Sequence, residues 1–245
     1  MTMQRALLTT LMAGVALPAA AQLTMTTGLD YSSGDYGTST TSETWYVPIA
    51  AKYETGPLTL KLTVPYLRIT NAVVGPDGDP IAGSGCGRTE TGLGDITASA
   101  GYSLLDGTQG GLLVDVVGKV KMPTAESNCL GNNKTDYGVQ VDLAKGFGAV
   151  TAFGTLGWKD MGDSDFDDPV FASVGLGYRL APETSIGAAY DWREKLTSRG
   201  DPISELSLFV TQKLSQEWKL QVYAVKGFSD NSPEWGGGMM VSHSY

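Results

Sequence analysis

From Leu23 onward, apolar and polar residues alternate with period two, and the 3.6-residue rhythm of an amphipathic helix is scarce. Such alternation puts successive side chains on opposite faces of an extended chain. Leu23, Met25, Leu29 and Tyr31 share one face of a first strand; Trp45, Val47, Ile49, Ala51 and Tyr53 mark a second, and Leu58, Leu60, Leu62 and Val64 a third. Ile96, Ala98, Ala100 and Tyr102 mark a fourth, Leu112, Val114, Val116 and Val120 a fifth, and Tyr137, Val139, Val141 and Leu143 a sixth. Further stripes begin at Val150, Val170, Ile186, Leu206 and Trp218; the first of these is the least regular, because Phe153 faces the other way. Met239, Val241, His243 and Tyr245 complete a twelfth. Strands of roughly ten residues are long enough to cross a bilayer when tilted.

The connections sort by length. Those after even-numbered strands are short and turn-like, at 54–57, 105–110, 145–148, 181–184 and 215–217. Those after odd-numbered strands are mostly longer and polar, at 33–42, 71–91, 123–135, 160–169, 197–202 and 229–234. Short turns on one rim and long loops on the other predict an all-β, transmembrane, antiparallel up-and-down β-barrel of about twelve strands. A soluble sandwich would alternate too, but it has no reason to sort its loops in this order. An even strand count puts both termini on the periplasmic rim.

Charge follows the same parity. In lipid a spanning sheet must close on itself, and a Lys or Arg on the lipid face costs ~2–4 kcal/mol at the midplane. Lys52, Lys61, Asp95, Asp115, Lys119, Lys121, Asp142, Arg179, Asp191, Arg193, Glu205 and Lys213 all lie opposite the apolar stripe. Tyr53, Tyr102, Tyr178 and Trp218 fall near the short turns, and Tyr31, Trp158 and Trp192 near the long loops, as two aromatic girdles require.

The N-terminus predicts export. Arg5 precedes an uncharged apolar run, Ala6 to Leu17, then Pro18 and Ala19-Ala20-Ala21. This is a cleaved signal peptide over 1–21, too short to span as an anchor, with the barrel occupying 22–245. Without Arg5 the formal net charge moves from −9 to −10, a poor match for nucleic acid. Gly (32) is spread along the chain rather than gathered in a linker, as bends and bulges in strands require. The two cysteines, Cys86 and Cys129, fall by parity in the second and third extracellular connections. In an oxidising compartment they predict a disulfide between neighbouring loops, the alternative being free thiols or a metal pair.

Candidate chemistry is sparse. The one histidine, His243, lies on the lipid face beside the C-terminus, which argues against a His-based hydrolase, and the chain is read as no enzyme, with no metal and no cofactor. Asp163, Asp165, Asp167 and Asp168 resemble a calcium loop in acidity but lack its Gly and late Glu, so a solvated acidic loop is the better reading. The interior charges are the functional candidates: Lys61, Asp95, Asp115, Lys119, Lys121, Asp142, Arg179, Asp191, Arg193 and Glu205 as pore lining. Asp95 is expected beside Lys119 and Lys121, and Arg193 beside Glu205, where they select solutes by charge or pair with one another and fill the lumen.

Thr91-Gly92-Leu93-Gly94-Asp95-Ile96, followed by Ala100-Gly101-Tyr102, resembles a signature of the outer-membrane proteins of the MetA pathway of phenol degradation. Lys134-Thr135-Asp136-Tyr137-Gly138, Val141-Asp142-Leu143 and Gly146-Phe147-Gly148 are similar to the next hairpin of that family. The motifs span about fifty residues and are short and Gly-rich. The resemblance implies a transporter barrel of the outer membrane. The expectation is therefore a passive channel for small solutes, aromatic or apolar ones among them. Its partners are outer-membrane lipid, its solute and the barrel assembly machinery. The alternative is a plugged barrel acting through its extracellular loops.

Overall fold

The computed structural model describes residues 21–71, 86–107, 111–198 and 200–245. The expected leader lies outside them apart from Ala21. Thirteen strands follow in chain order: β1 (Gln22–Gly34), β2 (Ser42–Thr55), β3 (Leu58–Thr70), β4 (Thr89–Leu93), β5 (Ile96–Asp106), β6 (Leu112–Met122), β7 (Asp136–Phe147), β8 (Val150–Asp160), β9 (Val170–Arg179), β10 (Thr184–Arg193), β11 (Ile203–Lys213), β12 (Trp218–Gly227) and β13 (Trp235–Ser244). Each pairs antiparallel with its neighbour, and β1 joins both β2 and β13, so the sheet closes. Strands β4 and β5 both pair with β3, through Tyr66↔Leu93 and Thr63↔Thr97, and are one stave broken at Gly94-Asp95. The barrel therefore has twelve staves.

The turns explain the register. Gly56 and Gly148 take positive φ (54° and 68°) in tight connections that few other residues enter without strain. The first sets Thr55 opposite Leu58, and the second sets Phe147 opposite Val150. Each register then propagates along its hairpin and fixes which side chains face in. All short turns share one rim, with the start of β1 and the end of β13.

The outward face carries the exposed apolar side chains, among them Ile49, Leu62, Val141, Leu156, Val174, Leu208 and Val222. Among the described residues, the strand charges that share this face, Glu43, Arg68, Lys145, Asp160 and Lys226, sit toward strand ends, where the cost of a charge falls to about 0–1 kcal/mol. Aromatic rings gather at both rims. Tyr31 lies 4.7 Å from Trp45 and 4.9 Å from Trp235 near the loop rim. His243 lies 4.5 Å from Trp218 and 4.4 Å from Tyr245 near the other.

Inside, three phenylalanines lie against glycines across the register: Phe153 on Gly175, Phe171 on Gly157 and Phe209 on Gly187. A Cβ on any of these glycines would run into the ring. The missing side chain lets the ring lie along the wall. Phe153 and Phe209 join Ala144, Ala189, Tyr223 and Val225 in a buried apolar cluster.

Candidate functional site

Twelve strands about 4.8 Å apart, tilted by about 40°, close at a backbone diameter of about 24 Å, leaving roughly 10 Å between facing side chains. What lines that space follows from register. Lys52 lies opposite Lys61, Lys61 opposite Ser99, Ser99 opposite Lys119, Lys119 opposite Gly138, and Gly138 opposite Lys159. These residues all face inward. A row perpendicular to tilted strands climbs around the barrel, so the four lysines form an oblique track. It runs from near the short-turn rim at β2 to the loop rim at β8.

A second row carries the opposite sign. Asp115 faces Asp142, then Thr155, Ser173, Asp191 and Glu205 follow on successive strands. The two rows run parallel. On β6, Asp115 and Lys119 share the inward face four residues apart, about 13 Å. Between the rows lie Val117, Gln140, Gly157, Phe171 and Arg193.

The partners differ from charge to charge. Asp142 is buried and accepts from Gln140 Nε2 at 2.6 and 2.8 Å and from Thr155 Oγ1 at 2.6 Å. Lys52 pairs with Glu54 at 2.7 Å. Asp136 is 1% exposed and sits between Lys121 Nζ at 2.6 Å and Lys159 Nζ at 3.0 Å. Asn132 Nδ2 donates to the same carboxylate at 3.3 Å. Asp191 and Glu205 are buried directly opposite one another, and half-buried Arg193 stands one row above them. Arg179 Nη2 donates to the Gly148 carbonyl at 3.2 Å, at the short-turn rim. Tyr223 Oη donates to the buried Asp30 carboxylate. Lys61 and Lys119 are half-buried, and among the described residues neither has a carboxylate within ion-pair distance.

Asp95 has a backbone role that its parity did not show. It sits at the break between β4 and β5, and its Oδ1 accepts from the backbone N–H groups of Thr124 and Ala125, both at 3.0 Å. Ile96 N donates to Thr124 Oγ1 at 2.8 Å. Leu93 and Glu126 exchange two hydrogen bonds, at 3.0 and 3.2 Å. The connection 123–135 is thereby held against the broken stave. It turns Leu130 inward, where Tyr46, Leu67 and Ile69 bury it. Cys86 and Cys129 form a disulfide with Cα atoms 5.7 Å apart, tying this connection to the one before it. Lys134 and Asp163, the Asp167 N–H and Leu196 carbonyl, and Asn231 and the Asp201 carbonyl link the later loops in turn. The loop mouth is a joined structure.

Sequence reasoning missed the Asp136 cluster, the inward Phe171 and Phe209, and the role of Lys52 and Lys159. The tight turns could have revealed the lysine row, since the turn at Gly56 alone sets Lys52 opposite Lys61.

No protein-family profile matches the chain, and no curated protein matches it in sequence. Solved structures do. The chain is similar to the COG4313 outer membrane channel from Pseudomonas putida F1, at 17% identity and a TM-score of 0.66, over 94% of this chain and 97% of that one. The fold is that of an outer-membrane barrel. It is also similar to KdgM porin, at 9% identity and a TM-score of 0.56, over 91% of this chain and 99% of that one. A third likeness is to the translocator domain of the autotransporter NalP from Neisseria meningitidis, at 14% identity and a TM-score of 0.51, covering 100% and 95%.

Proposed function

We propose that this protein is a passive outer-membrane channel for small solutes, exported by its 1–21 leader and inserted by the barrel assembly machinery. The observation that carries the reading is the two-sided wall. Its outer face is apolar around the ring, and its inner face carries rows of charged and polar side chains that include the half-buried Lys61 and Lys119. Solvating those rows takes water in the lumen, and a wet lumen of this width passes small molecules. The fold shared with an outer-membrane channel and a porin supports the reading, as does the resemblance to the MetA-pathway proteins. The chain's one histidine packs between Trp218 and Tyr245, so it is a girdle residue rather than a base, in keeping with a non-enzymatic role.

A second reading has an observation of its own. Leu130 and the Asp136 cluster sit inside the loop mouth, and the Phe153–Phe209 cluster occupies the lumen beyond it, as a plugged barrel acting through its loops would require. Liposome swelling separates the two. Vesicles holding the purified barrel swell in isotonic small solutes if it is a channel, and swelling no faster than protein-free vesicles overturns that reading.

A further inference from the structure

Lys61 and Lys119 are the notable charges of the lumen. Their neighbours along the row are answered by carboxylates: Lys52 by Glu54, and Lys159 together with Lys121 by Asp136. Lys61 and Lys119 face the lumen two staves apart, about 10 Å, with only Ser99 between them. At the loop mouth above them, Lys121 and Lys159 both pair with Asp136. Much of the carboxylate row is tied to other groups, with Asp142 holding three hydrogen bonds from Gln140 and Thr155. A mobile ion therefore meets open ammonium groups at two successive heights and no carboxylate of equal freedom on the same track.

The wall opposite carries apolar positions among polar ones such as Asp191 and Gln221. In a ring of twelve staves β3 stands across from β10, and β6 across from β12. Ala189 stands on the stave across from Lys61, and Tyr223 and Val225 on the stave across from Lys119, all members of the buried apolar cluster. A solute between these walls gains by carrying a negative group on one side and an apolar body on the other. Asp115, on the same face of β6 as Lys119, disfavours a second negative charge about 13 Å along the strand.

Resting on the channel reading, we propose that the solutes are small organic monoanions, carboxylates with an apolar or aromatic body, and that Lys61 and Lys119 are successive stations on their path. The anion pairs with one ammonium, passes to the next, and leaves past Lys52, whose charge is already answered by Glu54. No covalent step is involved.

The test is the reversal potential of the full barrel in planar bilayers under a potassium chloride gradient, with flux of benzoate, benzamide and benzylammonium into vesicles. Wild type is expected to prefer chloride over potassium and to pass benzoate faster than its neutral and cationic counterparts. The K61M/K119M double variant is expected to lose at least tenfold in anion-to-cation permeability ratio, while K61R/K119R keeps the preference and serves as the folding control. A conducting wild-type barrel with no anion preference, or a double variant with unchanged selectivity, overturns the proposal and leaves the channel reading standing. A barrel that conducts neither ion overturns both.

Discussion

Replacing Asp136 by asparagine keeps the shape of the side chain and removes its charge. Asp136 lies 2.6 Å from Lys121 and 3.0 Å from Lys159, and all three are buried. At an effective dielectric of 20, the two attractions come to about 6 and about 5.5 kcal/mol before desolvation. Taking three charges out of water offsets most of that, and removing one partner of such a buried cluster costs about 3–5 kcal/mol in measured cases. Asp136→Asn is therefore expected to lower the barrel's unfolding free energy by about 3–5 kcal/mol. Urea titration of protein refolded in vesicles, followed by tryptophan fluorescence, reads the change as a lower midpoint at constant slope. Lys121→Met is the matched comparison, since it leaves the Asp136–Lys159 pair in place and is expected to cost less. A loss under about 1 kcal/mol for Asp136→Asn would show that water reaches the cluster and that the mouth is not sealed as described.

Gly175→Val is expected to cost about 1–3 kcal/mol, because its side chain must displace the Phe153 ring, and the same urea titration checks it. Leu208→Arg, on the outward face in the middle of β11, is expected to cost ~2–4 kcal/mol in vesicles, and an equal midpoint to wild type would place that face away from lipid. Cys86→Ser/Cys129→Ser opens a link across 43 residues. Chain entropy gives about 4 kcal/mol as the most this can cost relative to oxidised wild type, while reduced wild type should match the variant.

The barrel was legible because its governing constraint is periodic. Outward apolar stripes and inward charges follow parity, and parity survives even without strand pairings, so the faces of Lys61, Lys119, Asp142 and Glu205 could be read from single strands. What could not be read this way depends on register between strands. Phe153 looked like a defect in its stripe, and Phe171 and Phe209 went unremarked. Each makes sense only beside the glycine that the neighbouring strand places opposite it. Asp95 was expected to face Lys119 and Lys121 because it lies at a strand top. What that position did not show is the break at Gly94-Asp95, which lets Oδ1 accept from the backbone of Thr124 and Ala125. Asp136 begins its strand and Lys159 is next to last on its own, where loop and strand cannot be told apart by alternation, so their shared cluster had no signal of its own. The two ladders of opposite charge are a property of the closed sheet.

Single-channel recording tests the central claim most directly. Purified protein reconstituted in a planar bilayer is expected to give discrete, voltage-tolerant conductance steps in potassium chloride, of a size suited to a lumen roughly 10 Å wide before its loops are counted. A barrel that is inserted and folded, shown by its resistance to urea, yet stays electrically silent would contradict the account.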